Sequence, residues 1–173
     1  MSLGNERKSD MDRVADIIRA AGGKIVGRTR LQKVAYLLEL AGLGYGFRFE
    51  YRHYGPYSEE LSLASRNAAL LELLTEEEHP TSWGGSYSIF TVTDQSAGQV
   101  FAMAAARADS IVLELAATAA FLTQEGVANP WEETARRKPA KADAGRLELA
   151  KSLYRELSGI KTPNPLPVIG VPA

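Results

Sequence analysis

Apolar side chains recur every three or four positions in the first half of the chain, which is the spacing of amphipathic helices. The pattern predicts helices over residues 9–21, 29–41 and 58–71. Two of them open with a capping-box pattern, in which Ser9 precedes Asp12 and Thr29 precedes Gln32 by three positions. We therefore expect the first helix to begin at Ser9 and the second at Thr29.

A second pattern, alternation between aromatic and polar side chains, runs over residues 47–54 and predicts one strand with one buried face. Gly55 and Pro56 follow this segment, and because proline has no N–H to pair, we expect the strand to end there in a tight corner. Residues 73–78 and 87–93 flank a loop rich in turn residues, and they predict a β-hairpin.

The second half of the chain is predicted to be helical. Residues 94–124 are rich in alanine and have helical periodicity, but this length exceeds a typical globular helix. We therefore expect a break near residues 107–110. A short helix over residues 130–137 and a last amphipathic helix over residues 143–157 follow.

In chain order these elements match a winged helix, in which a hairpin follows the third helix. We predict a mainly helical α+β fold with a winged-helix-like core over residues 9–95 and a helical C-terminal extension, residues 96–158, packed on it in one compact unit. Residues 159–173 contain four prolines and predict an extended tail, ordered only where an apolar side chain finds a groove. A helical bundle with an incidental hairpin is the alternative. The predicted core side chains are Leu31, Leu38, Phe49, Leu61, Leu71 and Phe90.

Composition narrows the chemistry that the chain can perform. It has no cysteine, which excludes disulfides, thiolate nucleophiles and cysteine-based metal sites. The two histidines, His53 and His79, lie far apart in the sequence, so we expect neither a metal nor another cofactor. Nucleophile elbows and phosphate loops are absent from the sequence, and we expect no catalytic residue. Since no apolar run is long enough to cross a bilayer, we predict a cytoplasmic protein without membrane contact.

Charge is unevenly distributed along the chain. Residues 1–52 carry 10 basic and 6 acidic side chains, residues 53–134 carry 2 and 12, and residues 135–173 carry 8 and 3. Either the basic ends fold back on the acidic middle, or separate faces of the protein meet different partners.

Two motifs resemble those of a known family. The second predicted helix contains Leu-Gln-Lys at residues 31–33 and Tyr36 after two apolar residues, and residues 54–56 are Tyr-Gly-Pro. This pair resembles the YwgA-like proteins and, more distantly, the SocA-like or Panacea antitoxin domain. The resemblance implies a module that binds another protein, such as a toxin or protease machinery, and it implies no catalytic residue.

These observations favour a non-catalytic protein-binding module, an antitoxin-like or adaptor protein. A winged-helix transcription regulator that binds DNA is the alternative, and an enzyme of unknown reaction is a second one. Tyrosine and tryptophan supply contact area at low entropic cost, and basic residues steer acidic partners. The predicted partner-binding residues are Tyr54, Tyr57, Trp83, Arg28, Arg30 and Lys33.

Overall fold

The computed structural model describes residues 8–92, 100–162 and 164–170. In chain order the elements are α1 (Asp10–Ala20), β1 (Lys24–Val26), α2 (Arg28–Leu40), β2 (Glu50–Arg52), β3 (Gly55–Tyr57), α3 (Glu59–Leu70), β4 (Thr75–Pro80), β5 (Ser86–Thr91), α4 (Val100–Arg107), α5 (Ser110–Gln124), α6 (Pro130–Arg137) and α7 (Ala144–Gly159). The predicted mainly helical α+β class is confirmed.

The strands form two small antiparallel sheets. The first has the order β1-β5-β4, so that β1 pairs with the second strand of the hairpin that follows α3. The second sheet consists of β2 and β3, with Tyr51 opposite Pro56. The expected single strand over residues 47–54, ending at a Gly-Pro corner, is therefore wrong. Gly55 and Pro56 belong to a return strand, which a proline tolerates at a sheet edge where no partner needs its N–H.

The predicted start of α1 is confirmed, whereas the predicted start of α2 is wrong. Ser9 caps α1, and its hydroxyl accepts a hydrogen bond from the backbone N–H of Asp12. Helix α2 is preceded instead by Gly27, which has no side chain to cap it. Gln32 is buried and turns away from the helix start, so that no capping box forms at Thr29. A tertiary hydrogen bond has displaced the local one.

Helix α5 lies at the centre of the protein and is buried on nearly every side. It packs against α2, β3, α6 and α7, and its small side chains, including Ala116, Ala117 and Ala120, are fully buried. One hydrophobic core cluster thus contains side chains from both halves of the chain. The predicted break is confirmed, because α4 ends at Arg107 and α5 begins at Ser110. The predicted start of this helical stretch, at residue 94, lies outside the described residues.

Four of the six predicted core side chains, Leu31, Leu38, Leu61 and Phe90, are buried. A fifth, Phe49, is half-buried against the ring of Tyr36, with the ring centroids 5.4 Å apart. The sixth prediction is wrong, because Leu71 is 62% exposed. Helix α3 ends one residue earlier, and Leu74 takes the inward position instead.

The C-terminal segment after α7 returns to the body of the protein. Leu166 is buried in the core cluster, as the groove prediction required. The hydroxyl of Tyr154 donates a hydrogen bond to the carbonyl oxygen of Pro167. The backbone N–H of Asn164 donates to the carbonyl oxygen of Ala41. Among the described residues, no helix has the length and apolar character needed to cross a membrane.

Candidate binding surface beside helix α2

The two sequence motifs lie in direct contact. The side-chain amide of Gln32 donates to the backbone oxygen of Ser58 at 3.0 Å, and its oxygen accepts from the backbone N–H of Ser58 at 2.7 Å. The amine of Lys33 donates to the carbonyl oxygen of Pro56 at 2.7 Å. Helix α2 therefore holds the β2–β3 hairpin and the start of α3 through two consecutive polar side chains. Ser58 also caps α3, since its hydroxyl accepts from the N–H of Leu61.

A buried ion cluster also contacts this hairpin. Glu114 of α5 is buried and accepts from the amine of Lys138 at 2.8 Å and from the amine of Lys141 at 2.9 Å. Lys138 also donates to the carbonyl oxygen of His53 at 3.0 Å. Two backbone carbonyls of the hairpin, that of His53 in the turn and that of Pro56 in β3, thus accept from buried lysine amines.

Burial changes the pKa of Lys33, the lysine that contacts Pro56. Desolvation lowers the pKa of Lys33 to about 7 from its ordinary value of 10.5. The carboxylate of Glu114 opposes this shift, whereas the positive charges of Lys138 and Lys141 reinforce it. Near neutral pH, Lys33 therefore exists as a mixture of its charged and neutral forms.

The turn of this hairpin also requires a residue without a side chain. Gly55 has a φ of +85°, and a Cβ at this position would lie 2.4 Å from the hydroxyl oxygen of Thr118. This hydroxyl is buried and has no hydrogen-bond partner among the described residues. Close contact between β3 and α5 therefore depends on glycine at residue 55.

Two tyrosines flank the turn at different depths. Tyr54 is 52% exposed, and the amine of Lys141 lies 4.5 Å from the centre of its ring. Tyr57 is half-buried, with the guanidinium of Arg52 lying 5.1 Å from its ring centre. Each ring therefore lies within cation–π distance of a basic side chain.

Both tyrosines line a cleft of about 210 Å³, which we call the tyrosine cleft. Its walls are the first turns of α2, the β2–β3 turn and helix α3. Its lining residues are Arg28, Thr29, Leu31, Gln32, Lys33, Tyr54, Tyr57, Ser62, Ser65, Arg66 and Phe90.

A second cleft of about 500 Å³ adjoins the first, and we call it the tryptophan cleft. Trp83, in the turn between β4 and β5, borders it and is 83% exposed. Tyr87 of β5 also lines this cleft and stacks on His79, with 5.5 Å between the ring centroids. Arg28 and Thr29 line both clefts, so that the two form a continuous surface around the start of α2.

The structure places the six predicted partner-binding residues around these two clefts. The three basic ones differ in their exposure and in the groups that they contact. Arg28 is exposed and binds the carboxylates of Glu76 and Glu78 at 2.9 and 2.8 Å. Arg30 is half-buried and donates to the carbonyl oxygens of Val26 and Ala108. Both guanidinium groups are therefore already engaged within the protein.

Lys33 is only 1% exposed, which rules out the steering role expected of a rim charge. Its amine is used to hold the hairpin. Residues 136–138 at the end of α6 also differ from each other in burial, although three consecutive basic residues are typical of a solvated helix end. Arg136 is exposed, but Lys138 is buried against Glu114.

Sequence reasoning missed Glu114. The signal was present, because Glu114 is the lone charged residue in residues 111–122, which are otherwise apolar except for Thr118. A charge within such a stretch predicts a buried ion pair, since an unpaired one would be costly. In the described part of the chain, no group of three or more histidine or acidic side chains could hold a metal ion.

Comparison with curated proteins shows similarity to the uncharacterized protein YwgA of Bacillus subtilis (strain 168), which is 37% identical over 54 residues. The match covers 31% of this chain and 32% of YwgA, and so spans about a third of each protein. No protein-family model and no solved structure matches the chain. The similarity supports the resemblance to YwgA-like proteins over this part of the chain, and the Panacea resemblance stays a prediction.

Proposed function

We propose that the chain is a non-catalytic protein-binding module whose contact surface consists of the tyrosine and tryptophan clefts. The observation that carries this proposal is the exposure of Trp83, a large aromatic side chain, beside a cleft of about 500 Å³. Exposed tryptophan beside a concave surface is typical of binding hot spots, where a few aromatic and arginine side chains supply most of the affinity.

The arrangement of residues 8–92 supports a winged-helix-like core. Helices α1, α2 and α3 precede the β4–β5 hairpin, and β1 pairs with β5 to complete a three-stranded sheet. In DNA-binding proteins of this type, the third helix and the hairpin face the duplex.

The charges on those elements favour a protein partner over DNA. The exposed side of α3 carries Glu59 and the apolar Leu63 and Leu70 beside its single arginine, Arg66. Three of the six residues of the hairpin strand β4 are glutamates, and two of them neutralise Arg28. Carboxylates at these positions would repel phosphates, so the DNA-binding alternative ranks second.

We infer an antitoxin-like or adaptor role for this module, in which the partner is a toxin or protease machinery. The support is the direct contact between the Leu-Gln-Lys and Tyr-Gly-Pro motifs that resemble the Panacea domain. We place this activity in the cytoplasm, because a chain without cysteine suits a reducing compartment.

The test is a titration against the partner recovered with the wild-type protein. Trp83→Ala is expected to weaken binding about 30-fold or more, the loss of a hot-spot side chain, mainly through faster dissociation. Leu70→Ala is the matched control, since Leu70 is almost as exposed (79%) but borders neither cleft, and it is expected to change affinity by less than about threefold.

Two outcomes would contradict the proposal. One is equal binding by the Trp83→Ala variant and the wild-type protein. The other is nanomolar binding to a DNA duplex that weakens steeply as salt rises, because such binding depends on phosphate neutralisation. That second result would identify a transcription regulator.

A further inference from the structure

We propose that the tyrosine cleft is a carboxylate-binding site, which takes an acidic side chain or the C-terminal carboxylate of the partner. This inference rests on the proposed function and adds the chemistry that the partner must present. Four features of the cleft carry it: the sign of its charges, its unused hydrogen-bond donors, its apolar floor and its size.

The side chains that line the cleft include three basic residues and no carboxylate. The basic residues are Arg28, Lys33 and Arg66. Arg28 is engaged with two glutamates and Lys33 with the carbonyl of Pro56, but the exposed Arg66 has no hydrogen-bond or ion-pair partner among the described residues. An arginine without a partner at the edge of a cleft free of acidic side chains is suited to bidentate binding of a carboxylate.

Neutral donors surround the same space. The residues Thr29, Tyr54, Tyr57 and Ser62 line the cleft, and within the described ranges none of their hydroxyl groups makes a hydrogen bond. A carboxylate offers about four acceptor positions and no donor, which matches a wall of donors. A cationic ligand would instead meet Arg66 and find no acidic side chain.

The apolar floor and the volume of the cleft determine which chemical groups can bind there and how large they can be. Leu31 and Phe90 are almost completely buried and form an apolar floor, where charged hydrogen bonds are stronger than in open water. Sites for drug-sized ligands and cofactors enclose about 300–1,000 Å³. The tyrosine cleft has about 210 Å³, which is below this range and suits one acidic side chain or one terminal residue.

The tryptophan cleft lacks this chemistry, although it is larger. Its two arginines, Arg28 and Arg30, are engaged with glutamates and backbone carbonyls. The two clefts therefore make different contributions to partner binding. Trp83 supplies apolar contact area, and the tyrosine cleft recognises charge.

The experiment uses three short peptides as probes and needs no identified partner. They are acetyl-Gly-Gly-Glu-Gly-Gly-amide, acetyl-pentaglycine with a free C-terminal carboxylate, and acetyl-Gly-Gly-Gln-Gly-Gly-amide as the neutral control. Each is titrated into the ¹⁵N-labelled full chain, and amide shifts are followed. We expect a carboxylate peptide to shift the amides of Thr29 and of residues 62–66 with a Kd of about 1–10 mM, the range of a single charge-assisted contact.

Which peptide binds distinguishes the two sources of the carboxylate. A response to the glutamate peptide indicates an acidic side chain of the partner, and a response to pentaglycine indicates its C-terminus. Arg66→Gln should abolish the shifts. Arg155→Gln, which alters an exposed arginine of α7 outside the cleft, should leave them unchanged.

The inference is overturned if neither carboxylate peptide shifts these amides at about 10 mM. It is also overturned if the glutamine peptide causes equal shifts, or if the shifts persist in Arg66→Gln. These failures are separable from failure of the proposed function. Partner binding that depends on Trp83 but not on Arg66 would leave the binding module intact and remove the carboxylate site.

Discussion

Replacing Lys33 with methionine measures the cost of burying this amine, because methionine has a similar length and no charge. The ordinary lysine pKa of 10.5 falls to about 7 in the folded protein. Between these values the unfolded chain binds more protons than the folded one, so the free energy of unfolding rises with pH. Relative to a neutral side chain of the same shape, burying Lys33 costs about 4 kcal/mol at pH 7, about 2 at pH 9 and about 1 at pH 10.

Methionine also removes a hydrogen bond. The carbonyl oxygen of Pro56 loses its donor, which costs about 1–3 kcal/mol. The difference between the two effects sets the expected result. Lys33→Met should be more stable than the wild-type protein by about 1–3 kcal/mol at pH 7, nearly equal at pH 9, and equal or less stable, by up to about 2 kcal/mol, at pH 10.

The assay is urea unfolding followed by far-UV circular dichroism at pH 7, 9 and 10. Lys24→Met, at an exposed position in β1, is the control and should show no such trend. A loss of stability in Lys33→Met that is the same at all three pH values would refute the reasoning. It would mean that Lys33 keeps its charge in the folded protein without a desolvation cost.

Three further substitutions test packing, backbone strain and the ion cluster in the same assay at pH 7. Leu38→Ala should cost about 2–5 kcal/mol because Leu38 is fully buried, and a midpoint that barely moves would mean that its face of α2 is exposed. Gly55→Ala should cost more than Gly84→Ala, because both have positive φ but only residue 55 lacks room for a Cβ; equal losses would contradict the close contact with α5. Glu114→Gln should cost about 3–5 kcal/mol, because it leaves two lysines without a counter-charge. The control Glu148→Gln, in an exposed pair, should cost less than about 1 kcal/mol. Similar losses in the two variants would show that the cluster is solvated.

The sequence by itself determined the type and order of most elements. Apolar periodicity predicted the positions of the helices, and Ser9 and Ser58 cap α1 and α3. The alanine-rich stretch is interrupted between α4 and α5, as its length led us to expect. These features depend on interactions within a few residues, or on which face of a helix is apolar, and both can be recognised without knowing the neighbouring elements. Several core positions, including Leu38, follow from the same periodicity.

Only the tertiary structure decided the use of the polar side chains. Gln32 fits a helix cap by sequence, but in the structure it binds Ser58, which lies 26 positions away. Lys33 and Lys138 occur in basic sequences typical of solvated surfaces, and both are buried beside the β2–β3 hairpin. A periodic pattern shows whether a side chain faces inward or outward, but it does not show which carbonyl or carboxylate it will bind.

The two tryptophans illustrate the same limit for aromatic side chains. Trp131 packs against Tyr154, with 6.1 Å between the ring centroids, whereas Trp83 lies almost fully in solvent. Both residues have enough apolar area to favour burial, and a loop sequence does not show whether the core can reach its tip. Only tertiary packing decides this, because the β4–β5 turn leaves Trp83 outside the core cluster, whereas α6 places Trp131 within it.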